Sequence, residues 1–158
     1  MSKPETTFVA EPGSQEVTTS AVLDAPIESI WRAYVEPDLF VRWWGPAELS
    51  SKVDRWEPVT GGSWRVVHVD QDGTEYAFRG VFHEVVPGER LVLTFEYEGM
   101  PGHVCLETHT LEALDDGTKV TQHAVFQSVA DRDGMKESGM EQHAPVAMAQ
   151  LQDVASSI

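Results

Sequence analysis

Trp43-Trp44-Gly45-Pro46 marks the point where a helical pattern stops and a run of strand patterns begins. Neighbouring residues on a helix face different directions, so the two indoles are expected to differ in burial. Gly45 and Pro46 end the helix at once, because proline clashes with the preceding turn and restricts the residue before it. A helix that closes on two large aromatic side chains just ahead of a sheet predicts a wall over a concave surface. Such a surface suits an apolar guest.

Upstream of this stretch, Val17 to Leu23 reads as a strand. Asp24 is placed to cap the next helix, and Pro26 suits a first helical turn. Ile27, Ile30, Trp31 and Tyr34 recur at i, i+3, i+4 and i+7 and share one helical face. Glu36-Pro37 breaks that helix, and Leu39 to Trp44 gives a second, short one.

Downstream, the period changes to two. Val53 to Glu57 is a candidate strand, followed by a Gly61-Gly62 turn. Trp64, Val66 and His68 alternate with Arg65, Val67 and Val69. Asp72-Gly73 is a hairpin signal, and Tyr76, Phe78 and Phe82 lie on alternate positions of the next strand. Pro87-Gly88 turns the chain into an alternating run containing Leu91, Leu93, Phe95 and Tyr97. His103 to Ala113 and Thr118 to Phe126 make a last hairpin around Asp116-Gly117.

The end is helical. Met140, Ala144, Ala147, Met148, Leu151, Ala155 and Ile158 follow a 3.6-residue period, with Asp131 or Asp133 as the expected cap and a kink or break expected at Pro145. The predicted architecture is α+β: one curved antiparallel sheet of about six to seven strands, two short helices and a long C-terminal helix, with the helices on one face. Residues 1–16 are polar, contain Pro and Gly, and are expected to form a flexible tail. Residues 17–158 are expected to form a single domain.

Charge narrows the partners. The 158 residues carry a net charge of −15, with 41% apolar and 23% charged residues. A polyanion gains nothing from counterion release on nucleic acid and is repelled by anionic membrane surfaces. No run approaches the roughly 20 apolar residues of a membrane span, so membrane insertion is not expected. Cys105 is the one cysteine, so an internal disulfide is excluded. A cytoplasmic setting is expected from that and from the lack of an apolar leader.

These residues resemble a known family. Asp24-Ala25-Pro26, Ile30-Trp31-Arg32-Ala33, Glu36-Pro37 and Arg42-Trp43-Trp44-Gly45-Pro46 are similar to its N-terminal signature. Gly61-Gly62-Ser63-Trp64-Arg65, then Arg79-Gly80-Val81-Phe82-His83-Glu84-Val85-Val86-Pro87, then Glu89-Arg90-Leu91 and Ser138-Gly139-Met140-Glu141 continue it. The family is the START-like, or SRPBCC, superfamily. The branch is the bacterial group similar to the C-terminal domain of the activator of the heat-shock chaperone (Hsp) ATPase. The resemblance spans about residues 17 to 157. It implies a helix-grip fold, also seen in pollen allergens, with a cavity between the sheet and the long helix. Relatives use that cavity for lipids, sterols and polyketides. Some are cyclases or dehydratases, and the co-chaperone role uses the domain as a protein-binding surface.

No catalytic motif stands out. Gly61-Gly62-Ser63 lacks the lysine and spacing of a phosphate loop, and Asp70-x-Asp72-Gly73 lacks the later glutamate of a calcium loop, so both read as turns. Period two instead places polar residues inward. His68 follows Trp64 and Val66, while Cys105, Glu107 and His109 follow the Leu111 face. Gln122 lies between Val120 and Ala124 and neighbours His109. Buried polar groups need partners. Three readings are open for this set. Its members satisfy one another or a buried water, or lie at an open cavity mouth; or they orient a mostly apolar ligand through a hydroxyl, amide or carbonyl; or Glu107 and His109 perform acid–base work, joined by His68 in an enzyme, or bind a metal. A slip of one residue would turn the whole set to solvent.

Trp44, Trp64, Phe78 and Phe95 are expected to line one side of the cavity. Met140, Ala144 and Met148 are expected opposite, since methionine adapts to varied shapes and alanine leaves room. With His68, His109 and Gln122 these make the predicted ligand site. Arg32, Arg42 and Arg79 are expected to pair with carboxylates. The expected function is binding of a small, mostly apolar molecule, without a cofactor or metal. The alternatives are a chaperone-binding module and a cyclase- or dehydratase-type enzyme. An exposed sheet edge makes a homodimer an open expectation.

Overall fold

The computed structural model describes residues 3–158. In chain order the elements are β1 (Thr6–Val9), β2 (Glu16–Leu23), α1 (Ile27–Val35), α2 (Pro37–Trp43), β3 (Ser50–Trp56), β4 (Ser63–Val69), β5 (Glu75–Val86), β6 (Arg90–Tyr97), β7 (Val104–Leu114) and β8 (Gly117–Phe126). Then come α3 (Val129–Met135), a π-helical turn (Lys136–Met140) and α4 (Glu141–Ser156). The strands form one eight-stranded antiparallel sheet in the order β1-β2-β8-β7-β6-β5-β4-β3. This is the helix-grip α+β fold, a curved sheet closed by the C-terminal helix.

Alternation decides which residues face the helices. Trp64, Val66 and His68 on β4 are buried, as are Leu91 and Leu93 on β6, Cys105 and Leu111 on β7, and Val120, Ala124 and Phe126 on β8. The register sets Leu93 opposite Glu107 and His109 opposite Gln122, so the inward polar row is real. Register shifts between Phe82 and Glu84 and between Val53 and Arg55 interrupt β5 and β3. Such irregularities bend strands and increase local twist.

Helices α1 and α2 cover one end of the sheet. Ile30, Ala33 and Tyr34 turn into the core from α1, and Leu39, Phe40 and Trp43 do so from α2. The N-cap of α1 is Pro26 instead of Asp24; the Asp24 amide donates to Gln152 Oε1 on α4 at 2.8 Å. Glu36 ends α1 and precedes Pro37, the first residue of α2, which therefore starts two residues before Leu39. The tandem indoles separate as the helix geometry requires. Trp43 is 3% exposed and donates its indole N–H to the Ala33 carbonyl at 2.8 Å. Trp44 is the half-buried C-cap.

The sheet has more strands than sequence patterning predicts, because residues 1–16 are not all tail. Thr6 to Val9 pair with Ala21 to Thr18 as an edge strand. Buried Arg132 then fastens the connection, donating to the Glu11 carbonyl at 2.9 Å and the Glu16 carbonyl at 3.1 Å. Gln15 Nε2 donates to the Phe126 carbonyl at 2.9 Å. An edge strand needs one apolar face, and here Phe8 alone supplies much of it by packing beside Val17, Cys105, Ala124 and Phe126.

The C-terminal helical region also differs. Its cap is Ser128, whose Oγ accepts from the Asp131 amide at 3.0 Å; neither Asp131 nor Asp133 caps it. The break falls in the π turn, where Gly139 has φ +107°, a conformation that favours glycine. Pro145 sits inside α4 without breaking it. It lies in the second turn after the break, where its missing N–H removes a single backbone bond.

Candidate functional site

A cleft separates the inward face of the sheet from α3, the π turn and the first half of α4. Its inner lobe has a volume of about 350 Å³ and its outer lobe about 720 Å³. Phe78, Phe95, Cys105, Phe126, Met135 and Ser138 border both lobes, which therefore adjoin. Both sizes fall in the range of small-molecule sites. Around Trp56, Trp64 and Phe82, behind the aromatic wall, a void of only about 20 Å³ remains.

The Trp43-Trp44-Gly45-Pro46 stretch builds one wall. Gln150 Nε2 on α4 donates to the carbonyls of Trp43 at 2.7 Å and Gly45 at 3.2 Å, tying the end of α2 to the long helix. That sets the Trp44 ring at 5.0 Å from His68, and edge-on to Phe78 at 5.4 Å. Gly45 has φ +87°, and a Cβ there would lie 2.5 Å from His68 Nε2. The glycine that stops the helix thus also makes room for the His68 imidazole. Phe78 and Phe95 stack at 5.4 Å to continue the wall. Met140, His143, Ala144 and Ala147 face it from the helical side.

Two predicted lining residues belong elsewhere. Trp64 is 3% exposed, donates its indole N–H to the Thr94 carbonyl at 3.2 Å and borders only the small void. Met148 is 1% exposed and packs in the core cluster with Leu151. Periodicity places a residue on a helix face but does not say where along that face the sheet draws away.

The inward polar residues form a connected chain. Gln122 Nε2 donates to Tyr34 Oη at 2.8 Å, Tyr34 Oη meets His109 Nδ1 at 3.1 Å, and His109 Nε2 meets Glu107 Oε1 at 2.9 Å. An ionised carboxylate only accepts, so His109 donates from Nε2, and in the neutral imidazole Nδ1 accepts a hydrogen bond from the Tyr34 hydroxyl. Tyr34 holds the centre of this network and is the member that sequence reasoning missed. The available signal was a tyrosine where a buried helix face would take phenylalanine, since a buried hydroxyl needs a partner. Burial pushes the Tyr34 phenol up, and the Glu107 charge adds to it; the Gln122 hydrogen bond works the other way. Burial, then Glu107, likewise pushes up the Cys105 thiol. His68 pairs through Nδ1 with Ser51 Oγ at 2.8 Å, and burial lowers its pKa.

The other histidines and arginines sort simply. His83 is exposed, and His143 borders the inner lobe. His103 meets Asp131 at 2.9 Å and His123 meets Glu16 at 2.6 Å. Arg32 pairs with Glu36 and Arg79 with Glu96, whereas Arg42 reaches the Ser157 hydroxyl instead of a carboxylate. Among the described residues no group of three His, Cys, Asp or Glu side chains is placed to hold a metal ion. No helix among them is long and apolar enough to cross a membrane.

The same architecture recurs in known proteins. A family model described as Activator of Hsp90 ATPase homolog 1-like protein matches residues 24–156. A crystal structure from Rhodobacter sphaeroides superposes with a TM-score of 0.87 at 22% identity, covering 98% of this chain and 100% of its own. A solution structure from Arthrobacter aurescens gives 0.86 at 24% identity, covering 96% and 92%. An AHSA1-like protein from Aeromonas hydrophila gives 0.70 at 19% identity, covering 90% and 92%. No curated protein sequence matches the chain.

Proposed function

The chain belongs to the Activator of Hsp90 ATPase homolog 1-like family, and from that premise we propose that it binds a small, largely apolar molecule between the curved sheet and the C-terminal helix. The observation that carries this reading is the pair of adjoining lobes of about 350 and 720 Å³, the inner one walled by Trp44, Phe78 and Phe95 and faced by Met140 and Ala144. A mostly apolar pocket with a few fixed polar groups is the usual build of such sites. Glu107, His109, Gln122 and His68 are the polar groups, and the Tyr34 network holds the first three in place.

One contact favours a second reading, acid–base catalysis of the cyclase or dehydratase kind. His109 lies within hydrogen-bond distance of Glu107 inside the cleft. Binding is preferred because both imidazole nitrogens are already engaged, one by Tyr34 and one by Glu107. The chaperone-activator role in the family's name would use the outer surface, and the open interior favours the ligand reading over it.

Native mass spectrometry of protein purified from its own host tests the proposal, together with a titration of tryptophan fluorescence by 1-decanol. A retained small molecule, or saturable quenching by one decanol per chain, supports it. Neither result, together with stimulation of a chaperone ATPase, would replace it with the docking role.

A further inference from the structure

We infer that the cleft selects amphiphiles bearing a hydrogen-bond-donating cationic group, such as a protonated alkyl or aryl amine, and rejects carboxylate-bearing chains of the same length. This rests on the apolar-ligand reading above and names the chemical class that reading leaves open.

The first observation is the sign of the charges lining the cleft. Glu107 borders the inner lobe and Asp131 the outer one, and no lysine or arginine borders either. Of the basic side chains, Arg65 pairs with Glu98, Arg79 with Glu96, Arg90 with Glu84, and Arg132 with Asp133 and two backbone carbonyls. A fatty acid carboxylate entering the inner lobe would find no cation to pair with, and it would meet Glu107.

The second observation is the state of the two acids. Asp131 already faces His103 at 2.9 Å. Glu107 accepts one hydrogen bond at Oε1 from His109, and among the described residues Oε2 has no hydrogen-bond partner. Its side chain retains 26% exposure and borders the inner lobe. The short Ala124 stands opposite Glu107 on β8. His68 is pushed toward its neutral form by burial, while His103 and His109 are each held by a carboxylate; His143 stands on α4.

The third observation is the wall itself. Trp44, Phe78 and Phe95 border the same lobe as Glu107. Ring faces attract cations as well as apolar groups, and a charge-assisted hydrogen bond is stronger than a neutral one. An ammonium group at Glu107 Oε2 with its chain along these rings satisfies both the carboxylate and the apolar surface.

Three ten-carbon probes separate the possibilities below their micelle concentrations: decylamine, 1-decanol and decanoate, each titrated against tryptophan fluorescence and competed against the others at neutral pH. Decylamine is expected to bind about tenfold or more tightly than decanoate. Glu107→Gln should weaken decylamine by about tenfold more than it weakens 1-decanol. Decanoate binding as well as decylamine overturns the inference and leaves the apolar-ligand reading standing, as does decylamine binding that Glu107→Gln does not weaken. Failure of all three to bind overturns both. The wild-type comparison of amine with carboxylate is decisive even if the variant does not fold.

Discussion

Tyr34 shows how one oxygen organises a site. Its hydroxyl accepts from Gln122 and donates to His109, and His109 in turn donates to Glu107. Tyr34→Phe keeps the ring and its edge contacts with Trp43 and His109 but strands the Gln122 amide and the His109 Nδ1. Both groups border the cleft, where water can meet them, so a loss of about 1 kcal/mol, the net worth of a hydrogen bond, is expected in chemical denaturation. An unchanged midpoint would mean the chain of hydrogen bonds contributes nothing. His68 gives a pH signature of a different origin. Its folded pKa lies below its ordinary value near 6.5 because burial disfavours the charged imidazole. The unfolded chain therefore binds the proton first on acidification. Stability is full above about pH 6.5 and falls as pH drops toward the folded value. Thermal melts between neutral and mildly acidic pH should show this loss, and His68→Phe should flatten that part of the profile. A variant with an undiminished slope would place the titration elsewhere.

The helices after β8 were the least legible part of the sequence, for a physical reason. Proline announces a break in any helical pattern, but its cost depends on how many backbone bonds it removes. Pro145 removes one near the start of α4, while Gly139 takes the φ +107° that actually turns the chain. Strands were easier to read, because period two fixes both the element and its buried face. The inward placement of His68, Glu107, His109 and Gln122 followed from Trp64, Leu111 and Val120 alone. Strand β1 escaped because an edge needs little apolar sequence, and the side chain that fastens the segment behind it, Arg132, lies more than a hundred residues away. Gly139 also borders the inner lobe, between α3 and α4. Gly139→Ala must hold an L side chain at positive φ, at a cost of about 1–2 kcal/mol. Loss of stability together with altered probe binding is expected in paired denaturation and fluorescence measurements. Loss of stability with binding untouched would make the turn a structural hinge only.

Across the whole molecule, tight packing and open space divide along the length of the last helix. Leu151, Val154 and Ala155 join Met148 in the core, whereas Ala144 and Ala147, one turn nearer the N-terminus, border the cleft. A net charge of −15 surrounds both regions and opposes compaction through self-repulsion. Melting temperature should therefore rise as sodium chloride is brought from low to physiological levels, where charges more than about 8 Å apart are largely screened. The division within α4 leads to a sharper test, because it assigns opposite consequences to two residues four positions apart. Met148→Ala empties a site that is 1% exposed, so unfolding free energy should fall by about 2–5 kcal/mol. Affinity for 1-decanol should then change little. Ala144→Leu adds bulk where the sheet is distant, so stability should move by less than about 0.5 kcal/mol. The added side chain occupies the inner lobe, and 1-decanol should bind about tenfold more weakly or worse. Both variants are read by the same two measurements, denaturant titration and fluorescence quenching. If Ala144→Leu destabilises the fold and leaves binding intact, the space beside α4 is not where the guest lies.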